Sequence, residues 1–148
     1  MAKERARGSM SPSIALLSFA RIVERELAPL LERHGLTIRK YGILGHIDRD
    51  DGVSYSELAR RSGITVQSAH ALIGALIDDD LVSAEEARSG APARLTTTTA
   101  GRRRLDQVAR DLQQLDAQLF AQPPLGDLSA ALATAMESLA RDAGSFES

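Results

Sequence analysis

The chain has 148 residues, 43% hydrophobic and 26% charged, with a formal net charge of -2. That suffices for one folded domain with a core and is too apolar for a disordered chain. Cysteine is absent, which excludes disulfides, thiolate metal sites and thiol redox sensing and suits a reducing cytoplasm.

No apolar run approaches the roughly 20 residues that a membrane span needs. Lys3, Arg5 and Arg7 are not followed by the apolar block of a secretory signal. Residues 1–12 show no apolar periodicity and read as an N-terminal arm. Ser11-Pro12 marks a helix start, with serine able to cap and proline suited to the first helical position. Leu16, Ala20, Val23, Leu27, Leu30 and Leu31 then follow at helical spacing. Ile14, Leu17 and Phe19 add a second apolar side, so one side can face the domain and the other a partner chain. Pro29 should kink this helix, and His34-Gly35 should end it.

Thr37 can cap a second helix from Ile38 to Asp48, with Ile38, Tyr41, Leu44 and Ile47 on its apolar face. Gly42 and Gly45 each weaken it by about 1 kcal/mol relative to alanine, and their spacing leaves room for another backbone. Asp50-Asp51-Gly52 is a turn. Ser54 or Ser56 caps a third helix with Leu58 and Ala59 inward, and Ser62-Gly63 turns the chain. Thr65 caps a fourth helix with Val66, Ala69, Leu72, Ile73, Leu76 and Ile77 as its buried stripe. Its outward side is then Gln67, Ser68, His70, Ala71, Gly74 and Ala75. Asp78-Asp79-Asp80 places three carboxylates at the already negative carbonyl end, for which the sequence offers no reason.

Leu81–Ala87 and Ala93–Thr97 read as strands joined by a Gly/Pro-containing tip. Thr98 caps a long helix whose Leu105, Val108, Leu112, Leu115 and Leu119 repeat at 3-4-3-4 spacing, a seam for another helix. Gln122 to Gly126 breaks it, and Asp127 caps a last helix carrying Leu128, Leu132, Ala135, Met136 and Leu139.

These elements predict a mainly α fold with a small β-hairpin wing. It is a winged helix-turn-helix flanked by N- and C-terminal dimerisation helices. The expected division is an arm at 1–12, a helical dimerisation region at 13–35 and 105–148, and a DNA-binding lobe at 36–104, forming a single globular unit overall. In such a module the fourth helix enters a major groove, which makes Thr65, Gln67, Ser68 and His70 the candidate base readers. Arg88 and Arg94 flank the wing tip, where positive charge meets phosphate or the minor groove. Arg60 and Arg61 are further candidates for phosphate. Over Val53–Leu105 seven arginines face six carboxylates, a balance of +1, so affinity depends on how charge is arranged. Ile14, Leu17, Leu112, Leu115, Leu119, Leu132, Met136 and Leu139 are the candidate dimerisation residues. Tyr41 and His46 are the polar candidates for binding an effector. The three histidines are too scattered for a metal site, no cofactor motif is present, and no nucleophile or carboxylate pair suggests an enzyme.

The order and spacing of several motifs resemble the MarR family of bacterial transcription regulators. They are Leu36-Thr37-Ile38 with Tyr41, Ser56-Glu57-Leu58-Ala59, the stripe Leu72, Ile73 and Leu76, Asp80-Leu81-Val82, and Thr98-Thr99-Ala100-Gly101. The resemblance spans Ser13 to Leu139. It implies a cytoplasmic homodimer, paired by its first and last helices, that binds a pseudo-palindromic operator in double-stranded DNA. It also implies release by a small aromatic or phenolic effector seated between the dimer helices and the DNA-binding lobe. The alternative is a diverged winged-helix dimer that binds a protein or small molecule and has lost operator binding. The charge-poor tip Ser89–Pro92, Ala71 on the outward face, and Asp78–Asp80 motivate it.

Overall fold

The computed structural model describes residues 11–85, 93–121 and 123–145. The elements run α1 (Pro12–Glu32), α2 (Ile38–Arg49), α3 (Tyr55–Ser62), α4 (Val66–Asp78), β1 (Val82–Glu85), β2 (Arg94–Thr97), α5 (Thr99–Leu119) and α6 (Leu125–Ser145). The predicted fold class is borne out: helices dominate, with one antiparallel hairpin. Two compact units divide the chain, residues 1–108 and residues 109–148.

The core of the first unit forms where helices α1 to α5 and the hairpin converge. Leu31, Leu36, Leu44, Ile47, Leu58, Ile73, Leu76, Leu81, Leu95 and Val108 are fully buried there. Each such side chain contributes about 1.5–3 kcal/mol of burial. Helix α1 runs on through Pro29. It ends in a reversal in which Gly35 takes φ 69°, a left-handed value that suits glycine, and Leu36 N–H donates to the Leu31 carbonyl at 3.0 Å. Ser11 precedes α1 without a side-chain capping bond. Thr37, by contrast, caps α2 through the Lys40 N–H at 3.2 Å. The buried face of α2 is Ile43, Leu44 and Ile47. Ile38 is exposed and Tyr41 half-buried, so the apolar face is turned from the one that periodicity suggests. A Cβ built on Gly42 or Gly45 meets nothing within 4 Å among the described residues, so the room that their spacing leaves is open.

Two of the three aspartates at the end of α4 acquire reasons. Asp79 accepts from Lys40 Nζ at 2.9 Å, tying the end of α4 to the start of α2. Asp80 adopts φ 58°, a left-handed conformation that aspartate tolerates better than most residues. It lets Leu81 N–H reach back to the Leu76 carbonyl at 2.9 Å. The strands pair Val82 with Thr97 through to Glu85 with Arg94, and Val53 bridges to Leu95 on the other side of β2.

Thr98 fastens the return from the hairpin. Its hydroxyl donates to the Asp80 carbonyl at 2.7 Å and accepts from Gly101 N–H at 2.9 Å, while its own N–H donates to the Leu81 carbonyl at 3.1 Å. Arg102 and Arg104 donate to the Thr97 and His34 carbonyls. In the second unit α6 starts at Leu125, so Asp127 lies in its first turn and is not its cap. A carboxylate there still suits the positive end of the helix.

Gly101 lies flat against the chain it crosses. A Cβ there would overlap the Leu81 carbonyl oxygen and come within 2.7 Å of Thr97 Cγ2. We expect Gly101→Ala to lower stability by about 1–3 kcal/mol in denaturant unfolding, the usual cost of overpacking. Thr97 Oγ1 is buried without a partner. Thr97→Val, which removes that hydroxyl, should therefore be neutral or stabilising in the same measurement.

Candidate nucleic-acid interface

The helix-turn-helix is built from two capped helices and one left-handed residue. Ser54 Oγ accepts from Glu57 N–H at 3.3 Å and starts α3, which resolves the choice between Ser54 and Ser56. Gly63 ends α3 at φ 62°, and Ile64 N–H returns to the Ala59 carbonyl at 3.1 Å. Thr65 Oγ1 accepts from Ser68 N–H at 3.1 Å and starts α4. Ala69, Ile73 and Leu76 anchor α4 in the core.

The first two turns of α4 then present Gln67, Ser68, His70 and Ala71 to solvent. Thr65 and Ser68 are already partnered: the Thr65 hydroxyl donates to Ser68 Oγ at 2.9 Å. That leaves the Ser68 proton available to an outside acceptor. Val66 is 46% exposed and not part of the buried stripe. It sits at the helix start, ahead of the point where α4 meets the core, and it adds an apolar contact to the outward face.

Periodicity gave no sign of Tyr55. Its ring stacks on His70, with centroids 4.1 Å apart and planes at 13°. The pair joins the start of α3 to the exposed face of α4. A contact between two helices leaves no spacing signal in either one.

Arg60 and Arg61 are not bare cations. Arg60 donates twice to Glu57, at 3.0 and 2.7 Å, and Arg61 donates to Glu57 at 2.6 Å and pairs with Asp50 at 2.8 Å. Hydrogen bonds from both guanidinium groups hold the Glu57 carboxyl down at about 2. A phosphate would have to compete with these carboxylates. Arg94 stands differently. It is exposed at the start of β2, beside Gly52 of the α2–α3 turn, with no ion pair among the described residues. Arg88 and the wing tip lie outside the described residues.

His46 lines a cleft of 430 Å³ bounded by α2, the α3–α4 turn and α4, whereas Tyr41 does not line it. Among the expected dimerisation residues, Ile14 and Leu17 are 55% and 60% exposed, and Met136 and Leu139 are 63% and 62% exposed. Leu112, Leu115, Leu119 and Leu132 are half-buried. Among the described residues, no group of three or more His, Cys, Asp or Glu could hold a metal, and no helix is long and apolar enough to cross a membrane.

Burial, then the neighbouring Arg49 and Arg61 charges, lower the His46 pKa below its ordinary 6.5. The unfolded chain therefore binds more protons as pH falls through 6.5, so this histidine's share of stability is complete above that pH and declines below it. His46→Gln should flatten the acid side of a plot of Tm against pH between 7 and 5.

Residues 34–94 match the model of the MarR family. The resemblance read from the motifs is borne out over that segment. Solved structures with a similar fold include a Staphylococcus aureus MarR in complex with salicylate and kanamycin. It is 20% identical, with a TM-score of 0.71 over 86% of this chain and 89% of that one. A second is the S. aureus MepR–DNA complex, 16% identical, with a TM-score of 0.65 over 87% and 96%. A MarR family protein of Mycobacterium tuberculosis is 25% identical, with a TM-score of 0.67 over 86% and 95%. Compared with curated protein sequences, the chain has no match.

Proposed function

We propose that this chain, which carries a MarR-family module at residues 34–94, is a cytoplasmic, homodimeric, sequence-specific DNA-binding transcription regulator. It is a repressor released by a small aromatic or phenolic effector. The observation that carries the reading is the exposed start of α4, held by two capped helices and the Gly63 turn. In this reading Gln67 pairs with adenine, Ser68 and His70 contact neighbouring base edges, and Arg94 with Arg88 meets the backbone beside them. Arg60 and Arg61 contribute by exchanging a carboxylate for a phosphate.

The division of labour follows the expected boundaries. In this reading residues 13–35 and 105–148 pair two copies and residues 36–104 read DNA. The exposed Ile14, Leu17, Met136 and Leu139 support the pairing, because apolar side chains left in water by one copy gain free energy when a second covers them. Among proteins of this fold, MepR has been solved with DNA and the S. aureus MarR with salicylate. Nothing in the comparisons supports the alternative of a dimer without operator binding.

Duplex binding across candidate operators, at several salt concentrations, tests the proposal. Gln67→Ala should change which sequence is preferred. Arg94→Ala should weaken all sequences alike and reduce the slope of log affinity against log salt by about 0.9. A folded, dimeric protein with no salt- and sequence-dependent affinity for any duplex would overturn the reading.

A further inference from the structure

Val66 is the large apolar side chain of α3 and α4 left most exposed, at 46%. It opens α4 directly after the Thr65 cap. The fold gains little from it there. Valine is a poorer helix former than alanine, and the first turn of a helix favours carboxylates, of which α4 has none. Val66 is next to Gln67 and one turn before His70, so it stands among the side chains proposed to read bases. The Thr65 hydroxyl beside it is committed, since it accepts from Ser68 N–H and donates to Ser68 Oγ. The chemistry of the exposed face is uneven. Helix α4 contains no Arg or Lys, the side chains that grip the paired acceptors of guanine. Gln67 carries a donor and an acceptor side by side, which matches adenine. Thymine, the partner of adenine, is the base that shows a methyl group to the major groove.

We propose that Val66 is a specificity-determining residue that reads the C5 methyl of a thymine in the major groove. The assignment rests on the DNA-binding reading above and adds the base class to it: A·T pairs under the first turn of α4. Consecutive Cα atoms are about 3.8 Å apart and base pairs about 3.4 Å apart, so Val66 and Gln67 reach the same pair or neighbouring ones. An exposed isopropyl group and a thymine methyl both release water when they meet, and neither leaves a hydrogen bond unmade. Ala71 lies on the side of Gln67 one turn further on and is also exposed. Its single methyl sits close to the helix axis and reaches less far into a groove than the branched side chain of Val66.

In the experiment the full chain selects duplexes from a randomised pool, and the tightest binder becomes the probe. Each thymine of that duplex is replaced in turn by deoxyuridine, which removes the C5 methyl and keeps every hydrogen-bonding group. Affinity is read by fluorescence anisotropy. For the wild type, replacement at one thymine of a half-site should weaken binding about fourfold, the share of one buried methyl. Val66→Ser should bind the thymine and deoxyuridine duplexes equally, while keeping the preference for adenine that Gln67 confers. Val66→Thr, which retains one methyl, should discriminate between them less than the wild type and more than Val66→Ser. Replacements that leave wild-type affinity unchanged at every thymine would overturn the proposal and leave sequence-specific binding intact. A penalty that Val66→Ser retains in full would also overturn it, because the methyl contact then belongs to another side chain such as Ala71. A pool that yields no preferred duplex overturns the DNA-binding reading itself, and this assignment with it.

Discussion

The first unit depends on a junction where three backbone segments meet at Thr98. Helix α4 ends at Asp78 and turns through Asp80, the hairpin begins at Val82, and α5 begins at Thr99 after β2. The single Thr98 hydroxyl binds the end of one helix and the start of the other. Gly101 permits this, because its missing side chain leaves room for the Leu81 carbonyl. The base of the hairpin and the end of α4 are therefore tied together through one side chain. A local change at Gly101 reaches both without touching either.

Charge is arranged in a way that the composition conceals. Near α3, arginines and carboxylates satisfy one another, with Glu57 shared by two guanidinium groups. At the α5 start, Arg102 and Arg104 hold the carbonyl oxygens of Thr97 at the end of β2 and of His34 just after α1. Several cations that could have served a polyanion thus serve the fold. The net balance of +1 is therefore not spread evenly: around α3 the charges are paired, while Arg94 stands without an ion pair among the described residues.

Helix starts were legible at Thr37, Thr65 and Thr98, because a capping hydroxyl acts over three residues and leaves a local signature. The hairpin was legible from its threonines and its Gly/Pro tip, and the boundaries fell within a few residues. Side-chain facing was less legible at helix ends. Val66 and Ile38 fit an apolar period but are the first residues of their helices, where the neighbouring packing has not begun. The site divides in the same way. Gln67, Ser68 and His70 follow from the period of α4, since the outward face is the complement of the buried one. The Tyr55–His70 stack and the carboxylate partners of Arg61 follow from how α3 meets its neighbours. The cleft follows from what α2 leaves uncovered, and periodicity does not report gaps.

The Tyr55–His70 stack has a consequence for the base contact proposed for His70. An exposed imidazole on a helix ordinarily samples several rotamers, and immobilising it at an interface opposes binding. Here a half-buried tyrosine on the preceding helix already restricts the ring. The ordering cost is met during folding, when the two helices pack. The contact proposed for His70 would then begin from a narrowed set of orientations, which favours a longer-lived complex over a faster encounter.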